Sequence, residues 1–180
     1  NLQLRGLTGG LLKAKDGKIW IGEHGGEGGL YSFDPLTEKF KTFYPEGNTT
    51  KADNYKGAQL LFEDEAGNIW FINVSFLSNK LYICRLNPTT GIIKQYSVAD
   101  IVGSGYSFKN FFNFESSGTV WLLDDKKNLH RLNHQKDSFE IIIPAGKDIM
   151  QSGKSDTIGF SSKAGKNRLL LTGKHGVYIY

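Results

Sequence analysis

Short apolar runs separated by polar turns fill this chain, and the pattern repeats. The strongest runs follow a Gly-containing turn (Gly17, Gly67, Gly118) and each carries a tryptophan: Ile19-Trp20-Ile21, Ile69-Trp70-Phe71-Ile72 and Val120-Trp121-Leu122-Leu123. The tryptophans lie 50 and 51 positions apart and are the only 3 in the chain. A fourth copy, at residues 163–173, has leucine where tryptophan would be. A period of about 50 residues indicates a repeat architecture.

Each copy contains further apolar runs around the tryptophan run. The runs that precede it are Leu11–Ala14, Gln59–Phe62, Phe111–Phe114 and Ile158–Phe160. The runs that follow it are Leu30–Phe33, Leu81–Leu86, Leu129–Leu132 and Val177–Tyr180. After a polar turn, outer runs alternate apolar and polar residues at Phe40–Tyr44, Ile92–Tyr96 and Phe139–Ile143. Four short antiparallel strands per repeat are typical of a β-propeller blade.

The pattern therefore predicts an all-β fold of four-stranded antiparallel propeller blades within one partial domain, residues 1–180. The blades are expected at residues 10–45, 58–97, 110–144 and 157–180. The tryptophan-bearing strands are apolar at nearly every position, which predicts burial on both faces. No stretch has a helical period, and 97–101 is expected to form only a turn. Copy four stops after its third strand, which favours a piece of a larger propeller over a closed ring of four blades.

Composition narrows the functional classes. The 180 residues carry a net charge of +4 with lysines and acids interspersed, so no nucleic-acid surface is indicated. The single cysteine, Cys84, excludes an internal disulfide framework and a Cys-rich zinc site, and its apolar neighbours predict a buried small side chain. No apolar run approaches the roughly 18 residues of a membrane span. We expect contact with a membrane only through parts of a longer protein, because the chain starts at Asn1 without Met.

These residues resemble a known repeat. Copy one reads Asp16-Gly17-Lys18-Ile19-Trp20-Ile21-Gly22, then Gly29-Leu30-Tyr31 and Phe33-Asp34-Pro35. Copy two reads Gly67-Asn68-Ile69-Trp70, Leu81-Tyr82 and Asn87-Pro88, and copy four keeps Gly173 and Gly176-Val177-Tyr178. This order of motifs resembles the two-component regulator propeller repeat over nearly the whole chain.

The resemblance implies a non-catalytic, ligand-sensing propeller from the periplasmic region of a hybrid two-component histidine kinase. Carbohydrate fragments are the ligand class that it implies, with no cofactor and with other blades of the parent propeller as partners. A second hypothesis is an enzyme, because Trp20-Ile21-Gly22-Glu23-His24 is loosely similar to a strand ending in streptogramin lyase. There a His would act as general base and a carboxylate would hold a metal. A third hypothesis is a scaffold or adhesion propeller without a small ligand.

Topology predicts where a ligand would bind. The connections from strand two to strand three and from blade to blade leave the same face of the sheets, here called the connection face, and they are the long ones. Binding residues favour variable loops on a rigid scaffold. The candidates on these connections combine aromatic platforms with basic groups: His24, Tyr55, Phe76, Tyr106, Phe108, Lys126, Lys147 and His175.

Three short motifs resemble known phosphate- or metal-binding sites, but their context does not support such a site. Gly153-Lys154-Ser155 lacks the glycine and the strand–helix context of a phosphate loop. His130 and His134 are four residues apart on a strand and its turn, where that spacing does not place them together as zinc ligands. Glu63-Asp64-Glu65 is expected to be a solvated strand end rather than a cation site. We therefore predict no metal site.

If the chain is a piece of a larger propeller, apolar flanks of its outer blades are exposed, and we expect self-association in solution. Sedimentation velocity over a range of protein concentrations measures this directly. A monomer at every concentration would contradict the prediction of a truncated ring.

Overall fold

The computed structural model of the chain describes residues 7–24, 29–44, 57–75, 80–103, 111–114, 118–124, 128–143, 159–161, 170–173 and 176–179. Within these ranges the chain forms strands and one short helix. The strands make four sheets in which each strand pairs with its neighbours in sequence, always antiparallel. This confirms the prediction of an all-β fold built from four-stranded antiparallel blades.

The bounds of the strands follow the predicted runs closely. Blade one contains β1 (Leu7–Lys13), β2 (Ile19–His24), β3 (Gly29–Asp34) and β4 (Lys39–Phe43). Blade two contains β5 (Ala58–Glu63), β6 (Ile69–Ser75), β7 (Lys80–Leu86) and β8 (Ile93–Ser97). Blade three contains β9 (Phe111–Phe114), β10 (Val120–Leu123), β11 (Leu129–Asn133) and β12 (Ser138–Ile143). Blade four has three described strands, β13 (Gly159–Ser161), β14 (Leu170–Gly173) and β15 (Gly176–Ile179).

The chain divides into two compact units. The first comprises residues 1–106 with 116–118 and holds blades one and two. The second comprises residues 107–115 with 119–180 and holds blades three and four.

Blades one and two share a hydrophobic core. Blade one contributes Trp20, Leu30 and Phe43, which are 2%, 0% and 6% exposed, to the same cluster as Ile69 and Phe71 of blade two, both fully buried. The rings of Trp20 and Phe43 are 5.1 Å apart between centroids and tilted by 41°. Full burial of one such side chain contributes roughly 1.5–3 kcal/mol, so this cluster is a main source of stability in the first unit.

Two glycines let the backbones of these blades meet. A Cβ atom placed on Gly22 would lie 2.2 Å from the carbonyl oxygen of Ala58, and one on Gly9 would lie 2.3 Å from the same atom. No side chain fits at these distances, so only glycine allows the close approach. The contact between β2 and β5 is therefore backbone against backbone at Ala58.

The turns between strands three and four are built by the side chain of the first turn residue. Asp34 Oδ1 accepts the Leu36 amide at 2.9 Å, Asn87 Oδ1 accepts Thr89 N at 3.0 Å, and Asn133 Oδ1 accepts the amide of residue 135 at 3.0 Å. These bonds mimic a backbone turn. Blade three lacks the proline of the other two blades and keeps the turn, because the Asn side chain supplies the bond.

The prediction that residues 97–101 form only a turn is wrong. A five-residue helix, α1 (Val98–Val102), follows β8. The Ser97 side chain accepts the Asp100 amide at 3.3 Å as an N-cap, and Val98 is buried at 1% exposure. One helical turn is too short for an apolar period to appear in the sequence, so the capping serine was the available signal.

The expectation of a solvated strand end at residues 63–65 is wrong for Asp64. Its side chain is 3% exposed, and its carboxylate accepts the Trp70 indole N–H at 2.8 Å and the Asn68 backbone N–H at 2.8 Å. It closes the Gly67 turn, whose glycine has φ +80°. The carboxylate is thus a structural acceptor for the indole, and buried indole N–H groups usually find such a partner.

Replacing Trp20 by alanine should lower the free energy of unfolding of the first unit by about 3–5 kcal/mol, because it leaves a large cavity between blades one and two. Urea unfolding followed by far-UV circular dichroism measures the change. Leu36→Ala is the matched control, since Leu36 is 95% exposed and should change stability by less than about 0.5 kcal/mol. Equal losses in the two variants would contradict this assignment of the core.

Candidate functional site

Most of the sequence-predicted ligand residues lie outside the described part of the chain. These are Tyr55, Phe76, Tyr106, Phe108, Lys126, Lys147 and His175. His24 is the last residue of β2, at the connection face of blade one. The predicted ligand set therefore stays a prediction. The described residues at the bases of the connections show what the scaffold offers there.

A buried polar side chain stands three residues after each tryptophan. These residues are Glu23, Asn73 and Asp124, and they are 2%, 1% and 3% exposed. Each lies at or near the end of the second strand of its blade, where the connection to strand three leaves the sheet. Burying a polar or charged group is unfavourable unless it is hydrogen-bonded, so the partners of each residue decide its role.

Glu23 in blade one is bound by a neighbouring tyrosine. The Tyr31 hydroxyl donates to Glu23 Oε2 at 2.8 Å, and Tyr31 is itself 5% exposed on β3. Gly29 makes room for this ring, since a Cβ atom there would lie 2.9 Å from the tyrosine Cζ and hydroxyl oxygen. The carboxylate is therefore held inside blade one.

Asp124 in blade three closes the connection between β10 and β11. Its Oδ1 accepts the Asn128 backbone N–H at 2.8 Å, while its Oδ2 accepts the Asn128 side-chain amide at 2.8 Å and lies 2.9 Å from His130 Nε2. Burial raises the pKa of the Asp124 carboxyl, but the hydrogen bonds from His130 and Asn128 outweigh burial and leave this pKa below its ordinary value. Asp124 at one end and Asn128 and His130 at the other therefore hold both ends of the β10–β11 connection in place.

Asn73 in blade two differs from the other two residues. Among the described residues, none donates a hydrogen bond to its buried Oδ1. Asn73 lies between Ala58 on β5 and Tyr82 on β7 in the register of the sheet, and Ala58 is the residue that Gly22 of blade one approaches. An acceptor without a donor thus lies where blade two meets blade one, near the connection face.

Sequence reasoning missed Asn73 and Asp124 and considered Glu23 only within the enzyme hypothesis, although the signal for all three was present. Each residue ends or interrupts an apolar run at the same offset from the tryptophan, and an alignment of the copies on Trp20, Trp70 and Trp121 brings them into one column. The alignment does not show which of the three side chains has a hydrogen-bond partner. The partners Tyr31 and His130 lie on the third strands of their blades, beyond a connection.

Three other chemistry-bearing groups lie within the described residues: Cys84, His130 and His134. Cys84 is fully buried as predicted, and burial raises the pKa of its thiol. His130 is buried against Asp124, whereas His134 lies in an exposed turn. Within the described ranges, no group of three His, Cys, Asp or Glu side chains could hold a metal ion.

Comparisons with known proteins give a weak likeness of structure. No protein-family profile matches the sequence, and no curated protein is significantly similar to it. One similar solved structure is the extracellular domain of an assigned one-component system, BT4673 of B. thetaiotaomicron, with 15% identity and a TM-score of 0.40. Another is the extracellular domain of an assigned hybrid two-component system, BT3049 of the same organism, with 13% identity and a TM-score of 0.36.

The chain covers 96% and 100% of its own length in these two comparisons but spans only 28% and 30% of the two solved chains. In the described ranges, no helix has the length and apolar character needed to cross a membrane.

The Asp124 hydrogen bonds should make stability depend on pH. Because the folded-state pKa is lowered, their contribution is fully present above the ordinary pKa of about 3.9 and is lost as the pH falls through the lower folded-state pKa. Asp124→Asn should lack this acid dependence and be less stable than the wild type at pH 7. Urea unfolding from pH 2 to pH 7 measures both effects. Parallel curves for the two proteins would contradict the role given to this carboxylate.

Proposed function

We propose that this chain is a ligand-sensing, non-catalytic part of a propeller in an extracytoplasmic sensor, of the kind that serves hybrid two-component histidine kinases in the periplasm. Its ligand is a carbohydrate fragment that binds at the connection face. The motif order from Asp16 to Pro35 and its recurrence in copy two support the assignment to this class of repeat. The blade sheets supply the rigid scaffold that such a site needs.

The unpaired carbonyl of Asn73 carries the proposal. A buried acceptor without a donor destabilises the folded state by roughly 1–3 kcal/mol, and such groups are rare in folded proteins. The equivalent residues Glu23 and Asp124 both have partners. A ligand hydroxyl would supply the donor that Asn73 lacks, and hydroxyl groups are the donors that sugars carry. Retaining an unfavourable group near the connection face is what a binding role requires.

The rival hypotheses make different use of these residues. An enzyme that used the Glu23-His24 pair would need the Glu23 carboxylate to bind a metal or a substrate, but this carboxylate already accepts the Tyr31 hydroxyl at 2.8 Å. A scaffold or adhesion propeller would give no reason for an unpaired acceptor at Asn73. The sensing role accounts for both observations.

Isothermal titration calorimetry of the protein with a panel of neutral and acidic oligosaccharides tests the proposal. We expect at least one member to bind, and Asn73→Leu to weaken that binding at least about tenfold. The same variant should raise the free energy of unfolding by about 1 kcal/mol, because an apolar side chain of similar volume removes the unsatisfied carbonyl oxygen. Gain of stability with loss of binding is the signature of a functional residue.

Lys39→Leu is the matched control. It places the same side chain at an exposed position at the start of β4, at the opposite end of the strands from the connection face, and should leave binding unchanged. Silence across the whole panel, or turnover of a panel member, would overturn the proposal. Binding that Asn73→Leu leaves intact would remove Asn73 from the site and with it the observation on which the proposal rests.

A further inference from the structure

Blade three contains a groove on the side of the sheet that carries its tryptophan. The groove has a volume of about 450 Å³ and is lined by Thr119, Trp121 and residues 131–135. All of these residues belong to the second unit. Small-molecule sites typically measure about 300–1,000 Å³, so the groove has the size for a monosaccharide-sized ligand. It lies beside the β11–β12 turn, at the opposite end of the strands from the connection face.

Arg131 is the principal charged group of the groove. Arg131 and Trp121 are register partners on β11 and β10, and the guanidinium carbon lies 5.6 Å from the indole centroid. Arg131 Nη2 is 3.6 Å from Glu140 Oε1, which is an ion pair but too long for a hydrogen bond. The arginine side chain is 43% exposed. A guanidinium with five N–H donors, held over an indole ring, keeps donors for a ligand.

Glu140 does not neutralise the groove, because several donors share its charge. Asn133 Nδ2 donates to Glu140 Oε2 at 3.2 Å, and Lys136 Nζ lies 3.5 Å from the same oxygen. The hydrogen bond from Asn133 and the charge of Lys136 lower the pKa of the Glu140 carboxyl, so it stays ionised at neutral pH. Arg131 is the charged side chain among the residues that line the groove, and a cationic lining favours an anionic ligand.

The rest of the lining suits hydroxyl groups. Thr119, His134 and Gln135 carry side chains that donate and accept hydrogen bonds, and the buried Trp121 lines the groove beside them. Arginine binds a carboxylate through two parallel N–H groups, which also fixes the orientation of the ligand. The combination therefore fits a small molecule with one carboxylate and several hydroxyl groups.

We infer that the groove between Arg131, Trp121 and the β11–β12 turn binds a small hydroxylated carboxylate, such as a sugar acid. The inference rests on the proposed ligand-sensing function and names a ligand class for it. It places this site at the opposite end of blade three from the connection face.

Isothermal titration calorimetry with glucuronate, with glucose as the neutral counterpart, tests the inference. Glucuronate should bind and glucose should bind at least about tenfold more weakly, because only the former carries the carboxylate. Arg131→Met should weaken glucuronate binding at least about tenfold and remove its preference over glucose. Raising the salt concentration should weaken glucuronate binding in the wild type.

Arg85→Met is the matched control. The Arg85 guanidinium carbon lies 5.5 Å from the Trp70 ring centroid in blade two. The substitution therefore removes the same kind of arginine–tryptophan contact outside the groove. Its affinity for glucuronate should equal that of the wild type. Circular dichroism of both variants shows whether each is folded, and loss of binding in both folded variants would overturn the inference.

Glu140→Gln provides a second test, in which the affinity for glucuronate should rise instead of fall. It removes the anion that competes for Arg131 and should tighten glucuronate binding several-fold. Weaker or unchanged binding in this variant would overturn the inference.

If oligosaccharides bind through Asn73 while glucuronate does not bind, the groove inference fails and the proposed function stands. If nothing in either set binds, both fail.

Discussion

The packing of the tryptophan-bearing face of blade one against the apolar face of blade two is the interaction on which the first unit depends. Trp20, Leu30 and Phe43 meet Ile69 and Phe71, and all five are almost completely buried. A four-stranded sheet has two faces, and burying only one of them gives little stability. The tryptophan is the residue with enough surface to fill the space between two twisted sheets. This explains why one indole per blade recurs at the same strand position in three blades.

Around this apolar contact, carboxylates and amides at the strand ends hold the turns and connections in place. Asp64 binds the Trp70 indole at the turn end of blade two, and Asp124 binds His130 at the connection face of blade three. Both carboxylates follow an apolar strand, and both accept the backbone amide of an asparagine four residues later. The same short device, an aspartate followed four residues later by asparagine, thus appears at opposite ends of two blades. Asn73 differs from these two aspartates, because among the described residues its side-chain carbonyl accepts no hydrogen bond that would hold a turn or a connection.

Sequence patterns predicted the strands well because burial and alternation act locally. The Val120–Leu123 run became β10 with the same bounds, and the Gly17, Gly67 and Gly118 turns have φ between +80° and +87°. The one-turn helix α1 was missed because it depends on Ser97 capping rather than on a period. Asp64 was misjudged because its partner is an indole six residues away. Contacts across a turn are set by side-chain reach, which spacing alone does not reveal.

The candidate site was less predictable for a different reason. Long connections were chosen as binding elements because variable loops commonly carry function. The offset of Glu23, Asn73 and Asp124 from the tryptophans was visible, but their roles follow from which neighbour can donate. The groove in blade three could not be found from the sequence, since it joins Trp121 to Arg131 and to the turn at Asn133 only after the strands pair.

The backbone contact at Ala58 has a mechanical consequence. Gly9 and Gly22 touch its carbonyl oxygen with no side chain between them, so nothing compressible separates β2 from β5. Side chains can change rotamer to absorb a displacement, whereas two peptide backbones in contact cannot. Blades one and two should therefore tilt or shift together as one stiff body. A displacement of blade one at Gly22 would therefore be passed to blade two at Ala58.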